Sequence, residues 1–265
     1  MLYSTKESRL QIGDTKMTYV RFGTGDKVMV IIPGLSLRDV KGAGFGLAYM
    51  YRKFAKEYTV YVFDRKKVIP EVYTVREIAA DVAEAMHLLG ISNADVFGVS
   101  QGGMIAQYLA IDHPELVHKL VLGVTLARNN KTVEQVIADW ILMAERKDLD
   151  GFVLDMLNKM YSDEYIRKYR LLLPVAAKLG KPKDFGRFII LAKACLTCNT
   201  YDELDKIQCP VLVLGGKQDK IVTGEASEEL AERLQCECYM YEDLGHAAYE
   251  EAKDFNQRIY EFLWK

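Results

Sequence analysis

Residues Phe97–Met104 read "FGVSQGGM", a serine held between glycines after the strand-like run Ala94-Asp95-Val96. Downstream, Met104, Ile105, Tyr108 and Leu109 recur at helical spacing, and the pattern stops before Pro114. Gly98-x-Ser100-x-Gly102 therefore has a strand before it and a helix after it, the context that a G-x-S-x-G nucleophile elbow demands. The glycines have a steric reason. In so sharp a turn the serine takes an unfavourable backbone conformation, and side chains at Gly98 or Gly102 would collide with the neighbouring strand and helix. The turn lifts the Ser100 hydroxyl clear of the sheet and sets it at a helix N-terminus, where backbone N–H groups point at a forming oxyanion.

Working outward, short β-branched runs alternate with helical periodicity, which predicts βαβ units and a mostly parallel sheet. "RLQIG" and "MTYVRFG" read as an antiparallel start, with Thr24-Gly25-Asp26 turning into "VMVII". "VMVII", "TVYVF", "ADVFGV", "KLVLGV" and "PVLVLG" are near-continuous apolar segments, as expected for central strands covered by helices on both faces. Val75 to Leu89 reads as a helix capped by Thr74 and ended by Gly90, and a single last helix is expected from about Tyr249 to Leu263.

From Arg128 to Asp205 the strand rhythm disappears. Three helical stripes replace it: Val133, Val136, Ile137, Trp140, Ile141 and Ala144; Ile166, Tyr169, Leu172 and Leu173; Phe185, Phe188, Ile189, Ala192 and Cys195. Gly151, Pro174, Gly180 and Pro182 mark the gaps between them. The division expected is a core of residues 1–127 and 206–265 with a helical insertion, 128–205, over the crevice where open α/β sheets bind ligands.

The chain has 265 residues, half of them apolar, and a net charge of -2. Its size suits one α/β domain with an insertion, and its charge gives no reason to expect nucleic acid or an anionic membrane as partner. A small molecule remains the expected partner, and oligomeric state is not legible. No run reaches the roughly 18 apolar residues of a membrane span, and "MLYSTKESRLQIGD" lacks the apolar core of a secretory signal, so a cytoplasmic location is expected. Five cysteines without an export signal read as reduced thiols. Cys195, Cys198, Cys236 and Cys238 have the spacing of a four-thiolate site, but the first two fall in an amphipathic helix where thiols act as small apolar groups, so no metal is expected. Lys41 to Gly46 is rich in glycine, yet Leu47 stands where a dinucleotide fingerprint needs its third glycine and no strand precedes it directly; it reads as a mobile loop, and no cofactor is implied.

A serine hydroxyl is a weak nucleophile at neutral pH and needs a base, which in turn needs an orienting acid. Of four histidines, His87 lies in a helix, while His113 and His118 flank the end of the post-serine helix and the next strand. His246, in the loop "EDLGHAAYEE", can reach over the carboxyl edge of the sheet. Asp219 follows "PVLVLGGKQ", where an exposed carboxylate beyond a buried strand has little packing reason to exist; a turn or helix-capping role is the plain alternative, and Asp243 is its rival as the acid. The order Ser100, Asp219, His246 is the one the elbow predicts. After "VMVII", Pro33-Gly34-Leu35-Ser36 makes a sharp exit that could present the Leu35 N–H to Ser100, with the Gln101 N–H as second donor.

With these residues placed, the chain resembles the α/β-hydrolase superfamily over nearly its whole length. The resemblance rests on "PGLS" after the third strand, "FDR" at Phe63-Asp64-Arg65 after the fourth, "GVSQGG", "PVLVLGGKQD" and "LGH". It implies the α/β-hydrolase fold with a helical cap at 128–205, Ser100 as nucleophile, Asp219 as acid, His246 as base, and Leu35 and Gln101 as oxyanion donors. It further implies hydrolysis of an ester-like bond through an acyl-serine. Pro33-Gly34 stands where many members have His-Gly, and Lys66 to Pro70 replaces the usual glycine-rich segment. A serine at the elbow separates the chain from haloalkane dehalogenases and epoxide hydrolases. Trp140, Met143, Met156, Met160, Tyr161 and Tyr165 are candidate pocket residues that would favour an apolar acyl or alkyl group. A small apolar ester or lactone is the expected substrate; a ligand sensor with slow turnover and a cofactor-free perhydrolase are the alternatives.

Overall fold

The computed structural model describes residues 4–170 and 185–265. Leu172, Leu173, Pro174, Gly180 and Pro182 lie outside the described residues. The chain begins with an antiparallel pair, β1 (Lys6–Ile12) and β2 (Thr15–Phe22), joined through Gly13 at φ +53°. β3 (Lys27–Ile32), β4 (Tyr58–Lys66), β5 (Ala94–Val99), β6 (Val117–Gly123), β7 (Val211–Gly216) and β8 (Glu237–Tyr241) follow. They form one eight-stranded sheet in the order β1-β2-β4-β3-β5-β6-β7-β8, parallel from β4 to β8.

Alternation along each central strand feeds two cores, because successive side chains leave opposite faces of a sheet. Val30, Ile32, Val96, Leu120, Leu122 and Val213 face one, with α2 (Val75–Leu88), α3 (Gln101–Asp112) and α8 (Gly224–Leu234). Met29, Ile31, Phe97, Val121, Leu212 and Leu214 face the other, with α1 (Gly44–Met50) and α10 (Phe255–Trp264). The α2 start is a complete capping box, Thr74 accepting from the Glu77 N–H and Glu77 accepting from the Thr74 N–H.

Among the described residues between β6 and β7 are the helices α4 (Lys131–Glu145), α5 (Leu149–Met160), α6 (Asp163–Tyr169) and α7 (Gly186–Cys195). Their centre is aromatic, with Phe152 buried against Trp140, Phe185 and Phe188.

Four expectations need correction. Lys41 to Gly46 is not a loop throughout, since Gly44 opens α1. The segment is pinned from both sides: Glu7 accepts from the Gly42 N–H and Asp64 from the Val40 N–H, while Ala48 and Tyr51 bury the helix against the core. Gly151 does not mark a gap; it lies in the first turn of α5, where Asp148 accepts its N–H. Phe63-Asp64-Arg65 lies inside β4 rather than after it. The last helix is two, α9 (Ala248–Glu251) and α10, because Ala252 turns extended and Asp254 is tied to Tyr241 of β8 and to Arg258.

Candidate active site

Ser100 sits between β5 and α3 at φ +53°, ψ -120°. A non-glycine residue held there costs on the order of 1–3 kcal/mol, so the surroundings must over-determine it. They do: the Ser100 N–H donates to Gly123 O (2.8 Å), and Ser100 O accepts from the Gly103 N–H (2.8 Å) and from Thr125 Oγ1 (2.8 Å). The glycines permit the close approach. A Cβ at Gly98 would lie 2.4 Å from Gly102 O on the helix, and one at Gly102 would lie 1.9 Å from Ile32 O on the neighbouring strand.

Ser100 Oγ is 2.9 Å from His246 Nε2, and His246 Nδ1 is 2.8 Å from Asp219 Oδ2. A carboxylate only accepts, so the ring proton belongs on Nδ1 and Nε2 is left to accept from the Ser100 hydroxyl. Asp219 is buried rather than exposed, and its other oxygen accepts from the Ile221 and Val222 N–H groups at 2.8 and 3.0 Å. The turn-forming bonds and the contact to His246 thus coexist in one side chain. Asp243 is exposed at the end of β8. The His246 loop is fixed to the insertion by the Ala247 N–H donating to Met160 O (2.8 Å).

The Pro33–Ser36 turn lies against the serine, with an ideal Cβ at Gly34 only 3.3 Å from Ser100 Cβ. Leu35 lines the same pocket as Ser100 and His246. Gln101 is the first residue of α3, so helix geometry gives its N–H no partner four residues back.

The Gln101 side chain does something sequence reasoning missed. It is fully buried, donating to Leu191 O (2.6 Å) and Cys195 Sγ (3.1 Å) of α7 and accepting from Arg65 (2.8 Å). Arg65 also donates to Pro33 O (2.7 Å). One polar strut therefore joins the turn at Pro33, the elbow and the insertion. Its signal was a glutamine directly after the elbow serine, at the start of a helix buried from Gln101 to Ile111.

The pocket over Ser100 has a volume of about 460 Å³ and is mainly apolar, walled by Met104, Val133, Ile137, Val153, Phe188 and Ile221. Trp140, Met156, Met160 and Tyr161 line it as expected; Met143 packs against the core and Tyr165 stacks on Tyr161 at 4.4 Å instead. Glu250 stands at the rim, accepting from the Tyr161 hydroxyl (2.6 Å). Cys195 also borders the pocket, but burial pushes its thiol up to about 11, away from a reactive thiolate. Cys195 and Cys198 are buried at and just after the end of α7, apart from Cys236 and Cys238 at β8. Among the described residues no group of three or more His, Cys, Asp or Glu is arranged to hold a metal ion, and no helix is long and apolar enough to cross a membrane.

A family model described as the alpha/beta hydrolase fold matches residues 28–253. The chain belongs to the α/β-hydrolase family. A putative carbamate hydrolase RutD of Rhizobium rhizogenes is 24% identical over 247 residues, covering 89% of this chain and 92% of its own length. Two solved structures share the fold at a TM-score of 0.85. One is MGS-M2, an α/β-hydrolase enzyme from a Medee basin deep-sea metagenome library, 21% identical over 97% of this chain and 98% of its own. The other is the enol-lactonase from Burkholderia xenovorans LB400, 19% identical over 97% of this chain and all of its own.

Proposed function

We propose that this α/β-hydrolase is a serine hydrolase that cleaves a small apolar ester or lactone through an acyl-serine intermediate. The observation that carries the reading is the unbroken chain from Asp219 through His246 to Ser100, at 2.8 and 2.9 Å, opening on an apolar pocket. In this reading His246 Nε2 takes the Ser100 proton as Oγ attacks the carbonyl carbon, and Asp219 holds the ring in the tautomer that can accept it. Leu35 and Gln101 supply backbone N–H groups to the oxyanion of the tetrahedral intermediate. His246 then returns the proton to the leaving alkoxide, and water repeats the cycle to release the acid. Family membership supports a hydrolase, and an enol-lactonase among the structural relatives is compatible with a lactone substrate.

The lining supports an apolar group on the substrate, since burying each methylene contributes about 0.8 kcal/mol. Residues 1–127 and 206–265 would then serve as the catalytic core and 128–205 as the cap that provides most of the apolar wall. The test is a panel of p-nitrophenyl esters and lactones, with labelling by a fluorophosphonate, on the wild type and Ser100→Ala. Multiple turnover and labelling in the wild type, both lost in a folded Ser100→Ala, are expected. Labelling that survives the substitution refutes the assignment, and stalling after a single turnover would favour a ligand sensor.

A further inference from the structure

Three consecutive residues at the α5–α6 junction, Met160, Tyr161 and Ser162, grip the chain just after His246. The N–H of Ala247, on the peptide that joins it to His246, donates to Met160 O (2.8 Å), one of the carbonyls that the end of α5 leaves without a helical partner. Tyr161 Oη donates to Glu250 (2.6 Å), and Ser162 donates twice to Glu251, from its N–H (3.0 Å) and from Oγ (2.5 Å). Both carboxylates stand on α9, a single turn that begins two residues after His246. One turn of helix has little stability of its own, so its place is set by what it touches. Among the described residues, every hydrogen bond that residues 149–169 make beyond 128–205 runs through this junction, and an Asp163–Lys220 ion pair at 3.9 Å stands beside it. On the other side of His246, Leu244 O accepts from the Gln218 N–H (2.9 Å) just beyond β7.

His246 is thus held from the sheet on one side and from the α5–α6 junction on the other. The tolerance is small: its ring nitrogens lie 2.9 Å from Ser100 Oγ and 2.8 Å from Asp219 Oδ2, and such hydrogen bonds weaken beyond about 3.2 Å. Ser162 and Glu251 do not line the Ser100 pocket, so neither is placed to touch a substrate there. We propose that the Met160–Ser162 junction holds His246 in line with Ser100, with Ser162 and Glu251 as positioning residues. The consequence for turnover rests on the serine-hydrolase reading, whereas the placement of the ring does not.

The experiment compares Ser162→Ala and Glu251→Ala with the conservative pair Ser162→Thr and Glu251→Gln, which keep a hydroxyl and a carbonyl oxygen in the clamp. The first readout is the far-downfield proton NMR resonance of His246 Nδ1–H, identified by its absence from His246→Ala. It is expected in the wild type and the conservative pair, and broadened by exchange with water in the alanine pair. The second is kcat and KM for p-nitrophenyl butyrate, with the rate of fluorophosphonate labelling at Ser100. The alanine variants are expected to lose about tenfold in kcat and in labelling rate, with KM within about twofold of the wild type and recovery in the conservative pair. Should Glu251→Ala fail to fold, Ser162→Ala, which keeps the Ser162 N–H bond to Glu251, carries the comparison. The proposal is overturned if the resonance and kcat of the folded alanine variants match the wild type, if KM rises while kcat holds, or if the conservative pair falls as far as the alanine pair. A wild type that neither turns over nor labels ends the hydrolase reading, while the resonance across the four variants still decides whether the junction holds His246.

Discussion

Asp219→Asn separates the backbone bonds of the Asp219 carboxylate from the acid role proposed for it, and the geometry dictates which is lost. Oδ1 is committed to the Ile221 and Val222 N–H groups, at 2.8 and 3.0 Å. An asparagine has one oxygen and one amide nitrogen. Placing the nitrogen toward those donors would leave two buried N–H groups unsatisfied, at about 1–3 kcal/mol each. The oxygen therefore stays with the backbone, and the amide N–H faces His246 Nδ1. Nδ1 must then accept, the ring proton moves to Nε2, and a ring protonated there cannot take the proton of Ser100. The fold keeps both backbone bonds, so the loss of stability is about 1 kcal/mol, the difference between a charged and a neutral hydrogen bond. The kcat for p-nitrophenyl butyrate, by contrast, is expected to fall on the order of 10⁴-fold, as when a triad acid is made an amide, or about 5 kcal/mol of barrier. Steady-state kinetics and urea unfolding of the same samples check both. An Asn variant within tenfold of the wild-type kcat would refute the claim that Asp219 sets the tautomer. Asp219→Ala, which strips both N–H groups of their acceptor, is expected to unfold at clearly lower urea than Asp219→Asn.

Three further outcomes follow from the site. Gly102→Ala places a Cβ 1.9 Å from Ile32 O, backbone that cannot step aside, so it is expected to lose more than about 3 kcal/mol or fail to fold, read by urea denaturation; a wild-type midpoint would contradict the steric reading. Gln101→Leu removes the strut while leaving the Gln101 N–H in place, and is expected to lower kcat roughly 10–100-fold with KM nearly unchanged. Affinity for a trifluoromethyl ketone analogue of the transition state should fall in parallel; equal losses in KM and kcat/KM, with kcat intact, would assign the strut to substrate binding instead. Met156→Ala widens the apolar wall and is expected to shift the optimum acyl length upward by one to three carbons, measured as kcat/KM along a p-nitrophenyl ester series.

The elbow was legible because its constraint is steric and local. Gly98 and Gly102 must approach backbone on both sides whatever the rest of the chain does, and the collisions found at Ile32 O and Gly102 O are the ones the glycines imply. His246 was legible by elimination among few histidines, and Asp219 by its place beyond β7. What the sequence hid depends on partners far along the chain. α1 opens on glycines that signal a loop, and it is held by Glu7 and by burial of Ala48 and Tyr51, contacts no local pattern contains. The break between α9 and α10 has neither glycine nor proline, only Asp254 drawn to Tyr241 and Arg258. The Arg65–Gln101–Leu191 strut joins residues 36 and 90 positions apart, beyond any motif.

The pocket lining is the hardest case, and its difficulty has a definite source. Met143 and Met156 are both apolar at helical spacing on successive helices and both pack against the core, yet Met156 also borders the Ser100 pocket and Met143 does not. Apolar periodicity tells which stripe of a helix avoids water, but a stripe facing a pocket and a stripe facing the core obey the same rule. Which of the two α5 presents is settled where the chain reverses after α4, at Lys147, φ +57°, with Asp148 capping the new helix through the Gly151 N–H. A lysine in the left-handed region gives no sequence signal comparable to a glycine. The side that α5 turns toward the pocket thus depends on a turn whose residues look ordinary. Substitutions at Lys147 that move α5 are expected to alter ester selectivity without touching Ser100, Asp219 or His246.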